Sequence, residues 1–190
     1  TLRLQYGPTD GLAILKEQLA HLMTRRGTPC TPQELLVTTG SQQGFDLLLR
    51  VMVAPGDVVL VEQPAYPATL QALKLQAADV VTVPVDQDGL DVAALAALSD
   101  QVPGSRDWVV HFSSLSKIVA PGLQVGWMVA HAEILRRCLV AKQTVDLCSS
   151  PWTQAIAAEY LASGALERHL PRIVDAYAVK CRTLCDALDQ

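Results

Sequence analysis

The sequence lacks the features of a membrane protein and of a nucleic-acid-binding protein. No apolar run approaches the roughly 20 residues that cross a bilayer, and no signal-peptide pattern opens the chain. The net charge is −4, and no long run of lysine or arginine is available for nucleic-acid phosphates. We therefore expect a soluble, cytoplasmic protein that binds no membrane and contacts no nucleic acid through this chain.

Cysteine and histidine are too scattered for a cross-linked or metal-binding protein. The five cysteines form an odd set without a Cys-x-x-Cys pair, which favours reduced thiols over disulfides or a metal site. The four histidines have no metal-ligand spacing, and no Ser–His–Asp arrangement can be assembled from them. We interpret the histidines as structural or exposed, and we predict no metal site.

Short apolar strands alternate with amphipathic helices, which is typical of an α/β protein with a mainly parallel sheet covered by helices. The chain has 190 residues, 50% of them hydrophobic, enough for one domain or for the larger part of a two-domain protein. The predicted strands are 35–39, 58–61 (buried), 80–85, 108–112 and 125–130, the last a hairpin-like neighbour of 108–112. The predicted helices are 12–23, one following the turn 40–44, one ending near 76, 90–98, and a helical region from 132 that closes with 165–188.

Lys117 has the most informative surroundings in the chain. It follows a predicted core strand and three closely spaced serines, Ser113, Ser114 and Ser116, and it precedes the turn at Pro121. A lysine enclosed by apolar residues at the end of a strand can lose its proton and attack a carbonyl, and the serines can hold an anion. The pattern indicates a lysine that carries an aldehyde cofactor with a phosphate group; the alternative is a solvated surface lysine.

Three further positions suit such a cofactor. The string Gly40-Ser41-Gln42 joins a strand to a helix, where backbone N–H groups and the positive helix end favour phosphate. The alternative is a plain glycine turn with Ser41 as N-cap. Tyr66 follows a strand and could stack on a planar ring, or simply cover a helix end. Tyr6 precedes the first helix, and its hydroxyl could serve its own subunit or a neighbour, or its ring could be a hydrophobic anchor.

Taken in order, these segments resemble the fold-type I enzymes that use pyridoxal 5′-phosphate (PLP), specifically the class I/II aminotransferases. The resemblance runs from Leu4 to about Leu188, and it looks closest to 2-aminoadipate-type transaminases and to the aminotransferase-like domains of GntR/MocR regulators. It is carried by three strings, Tyr6-Gly7-Pro8-Thr9-Asp10-Gly11, Thr38-Thr39-Gly40-Ser41-Gln42-Gln43-Gly44, and Ser114-Leu115-Ser116-Lys117 with Pro121-Gly122-Leu123 and Val125-Gly126-Trp127. The implied fold is the three-layer large domain of this family.

The resemblance implies a complete set of roles for these residues. Lys117 would be the Schiff-base lysine, with Gly40, Ser41, Gln42 and Ser114 at the phosphate and Tyr66 stacked on the pyridine ring. Tyr6 would reach across a dimer interface to the neighbouring subunit's phosphate. The implied protein is a homodimer whose small-molecule partners are an amino acid and a 2-oxo acid, with Lys117 also moving the substrate's Cα proton.

The chain departs from the family pattern at two internal places. Gln124 stands where the family usually has an arginine, so a charge-assisted hydrogen bond to phosphate worth roughly 1.5–3 kcal/mol is missing. The Asn-Pro-x-Gly motif, the aspartate for the ring nitrogen and the tyrosine for the 3′ oxygen are expected between Leu98 and Trp108, and none is present. The connection there is also too short for a right-handed crossover between parallel strands.

These departures lead us to expect an incomplete chain. We predict that residues 1–163 form the PLP-binding large domain, with several dozen residues and two core strands missing between 98 and 108. Residues 164–190 would form a connecting helix into a truncated small domain, and the family's N-terminal arm is absent. Because the missing segment would carry cofactor ligands, we expect a cofactor-free state of this chain.

The resemblance leaves three functions open. The leading prediction is a PLP-dependent aminotransferase. The first alternative is the PLP-binding effector domain of a GntR/MocR-type regulator, which the Gln124 change would fit and which a winged-helix segment ahead of Thr1 would reveal. The second alternative is a PLP-dependent β-lyase, which would release pyruvate and ammonia.

A mass measurement tests the missing segment. We expect the natural protein to exceed the 20.5 kDa of this sequence, because two core strands must lie between 98 and 108. Intact-mass spectrometry with peptide mapping checks this. A continuous peptide from Leu98 to Trp108 in a protein of 20.5 kDa would contradict it.

Overall fold

Strands and helices alternate along the chain in a computed structural model that describes residues 5–86, 89–90 and 109–189. The strands are β1 (Leu35–Thr38), β2 (Val58–Gln63), β3 (Asp79–Asp86), β4 (Gly89–Leu90), β5 (His111–Ser114) and β6 (Gly126–Val129). The helices are α1 (Ala13–Arg25), α2 (Gly40–Met52), α3 (Pro67–Leu75), α4 (Ala132–Val145), α5 (Pro151–Ala162) and α6 (Ala165–Leu188). Short 3-10 helices occupy Pro32–Glu34 and Pro121–Leu123. The predicted α/β class is confirmed.

The first sheet has the strand order β1-β6-β5, and its central strand β6 is antiparallel to both neighbours. Thr38 and Ser114 are both paired with Gly126, so these three residues form one row across the sheet. β1 and β5 therefore end at the edge where β6 begins. The predicted hairpin-like pairing of β5 with β6 is confirmed.

This sheet is the middle of three layers. Leu35, Val37 and Trp127 pack on one face with buried residues of α1 and α5. Leu36 and Met128 pack on the other face with buried residues of α2 and α4. Each fully buried leucine contributes roughly 1.5–3 kcal/mol relative to an exposed one. Burial on both faces explains why β1 is apolar at consecutive positions rather than alternating.

The second sheet has the order β2-β3-β4, with β2 parallel to β3 and β3 antiparallel to β4. The structure thus has two three-stranded sheets rather than one mainly parallel sheet, and β2–β3 is the parallel pair within the described residues. The prediction that 58–61 is buried was wrong, because Val58 is 64% exposed and Val59, Leu60 and Val61 are half-buried. Among the described residues, β2 is paired along one edge only, which leaves its other edge uncovered.

Helix α2 lies between the two sheets. Its residues Leu47 and Leu48 belong to the cluster on the first sheet. Phe45 and Leu49 instead pack with α3 and with Val59 of β2. This packing on both sides fixes where the N-terminal turn of α2 lies relative to the two sheets.

Two predicted elements fall partly outside the described residues. Leu90, the predicted start of the helix 90–98, pairs with Val85 in the β3–β4 hairpin, and the rest of that prediction lies beyond what the structure describes. Trp108, the predicted start of the strand before Lys117, also lies outside, and the strand is found at His111–Ser114.

Helix α6 leaves the rest of the fold after its first turn. Gly164, with φ of +67°, turns the chain from α5 into α6, and Leu166 is buried beside α5. Glu167 forms an ion pair with Arg25 of α1. Farther along, the apolar stripe of α6, including Tyr177 and Leu184, is exposed. None of the helices that the structure describes is long and apolar enough to cross a membrane.

The cysteines should differ sharply in reactivity. Cys138 is buried on α4, and burial raises its thiol pKa to about 11, whereas Cys181 and Cys185 are exposed on α6. Because the thiolate is the reactive form, brief alkylation at about pH 8 should label Cys181 and Cys185 in the folded protein and Cys138 only after unfolding. Peptide mass spectrometry gives the labelled positions. Equal labelling rates for Cys138 and Cys185 would contradict the buried setting.

Candidate active site

Three connections meet at one edge of the first sheet. The turn Gly40–Gln42 follows β1, the turn that carries Lys117 follows β5, and Gln124 lies just before β6. Thr38, Gly126 and Ser114 lie side by side in one row across the three strands, where the connections begin. Because neighbouring strands lie about 4.8 Å apart, the three connections lie close together. Two of the three predicted strings, the one with Gly40 and the one with Lys117, therefore meet at one sheet edge.

Gly126 allows α2 to begin directly over β6. A Cβ atom at this position would lie 2.5 Å from the backbone nitrogen of Ser41 and closer still to the carbonyl carbon of Gly40. Such distances are shorter than van der Waals contact, so only glycine permits this approach. The glycine of the Val-Gly-Trp string is therefore a backbone-contact residue beneath the first turn of α2.

The first turn of α2 offers an anion site. Helix geometry leaves the N–H groups of Gly40, Ser41 and Gln42 without partners inside the helix. The preceding N–H, that of Thr39, donates to Oε1 of Gln43 at 2.8 Å. The free N–H groups and the positive end of the helix dipole favour a phosphate here. The alternative of Ser41 as the N-cap is wrong, because Thr39 occupies that place.

Lys117 is not enclosed as the sequence predicts. It lies exposed in a helical turn after β5, in which the N–H of Val119 donates to the carbonyl oxygen of Leu115 at 2.8 Å. Residues four apart share a face of such a turn, so Leu115 and Val119 point inward while Lys117 points outward. Leu115 is fully buried, and Ser114 is half-buried with its Oγ accepting from the N–H of Ser116 at 3.4 Å.

Gln124 lies beside the N-terminus of α2. Its Oε1 is 3.6 Å from the place that a Cβ of Gly40 would occupy, and its Nε2 donates to the carbonyl oxygen of Pro121 at 2.9 Å. Its backbone is in the left-handed region, with φ of +51°. The position thus suits a phosphate-binding side chain, but the side chain present carries no charge.

The two tyrosines stand apart from this edge. Tyr66 precedes α3 at the carboxyl end of β2, in the second sheet, and is 69% exposed. Tyr6 is 82% exposed, and the neighbouring Gly7 lies against Pro151 at the start of α5. In the part of the chain that the structure describes, neither tyrosine is hydrogen-bonded to Ser41, Ser114 or Lys117.

An ion pair beside the start of α2, formed by a buried lysine and a partly exposed aspartate, was missed by sequence reasoning. Lys142 is fully buried, and its Nζ donates to Oδ1 of Asp146 at 2.6 Å. Oδ2 of Asp146 accepts from Nε2 of Gln43 at 2.8 Å and from Oγ1 of Thr39 at 3.3 Å. Thr39 Oγ1 also lies 3.1 Å from Oγ of Ser149. The i,i+4 spacing of Lys142 and Asp146 was the available signal, but that spacing usually marks a surface pair.

Replacing Gly126 should disturb α2. Gly126→Ala forces its Cβ against the Gly40–Ser41 peptide, and overpacking of this kind costs about 1–3 kcal/mol. The expected result is a lower Tm in differential scanning fluorimetry. Gly122→Ala is the matched control, because a Cβ there meets nothing within 4 Å. Equal Tm values for the two variants would contradict the close contact.

This chain is similar to known enzymes in sequence and in fold. Aromatic-amino-acid aminotransferase 1 of Thermococcus litoralis is 29% identical, with 98% of this chain and 60% of that protein covered. The crystal structure of LysN, the α-aminoadipate aminotransferase of Thermus thermophilus, matches with a TM-score of 0.84 and 28% identity. The match covers 98% of this chain and 62% of LysN, which was solved with N-(5′-phosphopyridoxyl)-L-leucine.

A second class of relative is regulatory. The uncharacterized HTH-type transcriptional regulator YjiR of Escherichia coli is 26% identical, with 92% of this chain and 50% of that protein covered. The chain therefore spans about 60% of the enzymes it matches and half of this regulator.

A model of a protein family matches more than half of this chain. Residues 1–114 of the 190 match the family described as aminotransferase class I and II, and that match ends before Lys117. The alignments with the two enzymes cover 98% of the chain. The chain belongs to the class I and II aminotransferase family.

Proposed function

We propose that this chain is the PLP-binding part of an aminotransferase that moves an amino group between an amino acid and a 2-oxo acid. The observation that carries the proposal is the meeting of α2's first turn, Ser114 and the Lys117 turn at one sheet edge. The enzymes that the chain resembles support it.

The phosphate end of PLP fits the residues present. The N–H groups of Ser41 and Gln42 and the absence of a Cβ at Gly40 leave a cradle for an anion at the start of α2. Ser114 can add a hydroxyl donor from the facing strand. Lys117 can supply the amine that bonds to the cofactor's aldehyde, and Tyr66 is proposed to stack on its ring.

The chemistry assigned to this chain centres on Lys117. When bound, PLP supplies an electron sink for the electrons left at the substrate's Cα. The Nζ of Lys117 would bond to the cofactor and, when free, would act as the base and then the acid that moves the proton of the substrate's Cα. The first turn of α2 would bind the phosphate and so hold the cofactor at the same sheet edge as Lys117.

We propose that this sequence lacks an internal segment that the natural protein contains between 98 and 108. The alignment with the Thermococcus litoralis enzyme extends over 252 residues, more than the 190 of this chain, so that enzyme has residues without a counterpart here. The two separate three-stranded sheets also fit the loss of strands that would join β5 to β2. Residues 1–163 are then a large domain without two strands, and 164–190 a connecting helix.

The proposed assembly is a cytoplasmic homodimer. The exposed ring of Tyr6 projects from the fold ahead of α1, where it could contact a second copy. The five free cysteines fit a reducing compartment. Analytical ultracentrifugation of wild type and of Tyr6→Ala would measure the proposed state.

A regulatory function is the second candidate. Gln124 removes the cation expected beside the phosphate, and this change suits a domain that senses PLP rather than one that catalyses with it. The match to an HTH-type regulator supports the same candidate. Release of a 2-oxo acid from an added amino acid would favour the enzyme, whereas PLP binding without turnover would favour the regulator.

Lys117→Ala should abolish covalent binding of PLP. Wild type mixed with PLP should develop the visible absorbance band of cofactor joined to a lysine, because Lys117 is exposed at the site edge. Lys74→Ala, at an exposed lysine of α3, is the matched control and should retain the band. If wild type and Lys117→Ala give identical spectra, the proposed role of Lys117 fails.

Restoring a cation should strengthen PLP binding. Gln124→Arg places a guanidinium beside the first turn of α2, and one charge-assisted hydrogen bond worth roughly 1.5–3 kcal/mol lowers the Kd at least about tenfold. Gln71→Arg, on the exposed side of α3, adds the same charge elsewhere. Titration followed by absorbance gives both Kd values. An unchanged Kd in Gln124→Arg would mean that the phosphate lies elsewhere.

A further inference from the structure

Five polar side chains link the first turn of α2 to the end of α4 and the residues that follow it. They are here named the Asp146 cluster: Thr39, Gln43, Lys142, Asp146 and Ser149. Thr39 and Gln43 belong to the start of α2, whereas the other three belong to α4 and to its connection with α5. The cluster therefore ties the start of one helix to the end of another across more than 100 residues of sequence.

Gln43 uses both ends of its amide in this cluster. Its Oε1 accepts from the N–H of Thr39 at 2.8 Å, and its Nε2 donates to Oδ2 of Asp146 at 2.8 Å. Asp146 thereby fixes which end of the amide faces the helix. With Thr39 satisfied, the next three N–H groups of the helix remain for a ligand.

The charge of Asp146 is balanced within the cluster. Lys142 is fully buried, and its Nζ bonds to the carboxylate at 2.6 Å. A lone carboxylate behind an anion site would weaken anion binding, but this pair has no net charge. The lysine thus lets a carboxylate act as the acceptor for Gln43 and Thr39 without repelling a phosphate.

We propose that Asp146 is a positioning residue for the phosphate site, acting through Gln43 and Thr39 on the first turn of α2. The inference rests on the proposed function, because it concerns the group that this turn binds. Asp146 bonds to the side chains of Gln43 and Thr39 and not to the N–H groups proposed to hold the phosphate. Its effect should therefore appear in the affinity for the phosphate group and not in the bond formed by Lys117.

The test compares two ligands that differ only in the phosphate. Kd values for PLP and for pyridoxal are measured by absorbance with wild type, Gln43→Ala and the control Gln71→Ala. Gln43→Ala leaves the Lys142–Asp146 pair intact, so no buried charge loses its partner. We expect its Kd for PLP to rise about tenfold, as for the loss of one to two hydrogen bonds, with the Kd for pyridoxal unchanged.

A second variant tests Asp146 itself. Asp146→Ala combined with Lys142→Met removes both charges together, so that no buried lysine is left without its partner. It should show the same rise for PLP and none for pyridoxal. The positioning role would be overturned if, in both variants, the Kd values for PLP and pyridoxal changed equally or did not change.

Tm measurements with inorganic phosphate test the positioning role of Asp146 independently of the proposed function. Phosphate should raise the Tm of wild type and of Lys117→Ala, and raise it less in Gln43→Ala. If no pyridoxal compound binds Lys117 but this phosphate pattern holds, the proposed function fails and the positioning role stands. If phosphate stabilises wild type and Gln43→Ala equally, or neither of them, the positioning role is overturned.

Discussion

The contact between Gly126 and the Gly40–Ser41 peptide is the constraint on which the candidate site depends. Because no side chain separates them, α2 begins directly over the central strand of its sheet. That placement brings the free N–H groups of the helix to the edge where β1 and β5 end and β6 begins. The same edge carries Ser114 and the turn with Lys117.

Polar contacts extend this constraint to the N-terminal segment. Ser149, which contacts Thr39, has its carbonyl oxygen bound by Nε2 of the fully buried Gln154 at 2.8 Å. Oε1 of Gln154 in turn accepts from the N–H of Leu12 at 2.8 Å. The first turn of α2 and the segment that carries Tyr6 are thus joined through one chain of hydrogen bonds.

The two sheets differ in how well other elements cover them, and this difference is relevant to whether the chain is complete. The first sheet is packed on both faces, whereas β2 is exposed at Val58 and paired along one edge within the described residues. Helix α2 packs on both sheets through Leu47 and Leu49. Strands inserted between β5 and β2 would cover these edges, in keeping with the proposed loss at 98–108.

The sequence by itself determined the α/β class and the order of most elements. It also identified the segments at Gly40–Gln42 and Lys117 as candidate site segments, because periodicity and motifs are local properties of the chain. It could not show that Lys117 points outward, since that depends on Leu115 and Val119 filling the core on the other side of the turn. Nor could it show the Asp146 cluster, which joins residues more than 100 positions apart. Only the tertiary structure decided these points, because the burial of Leu115 and Lys142, and the contacts of Thr39 and Gln43 with Asp146, depend on packing between elements that are far apart in sequence.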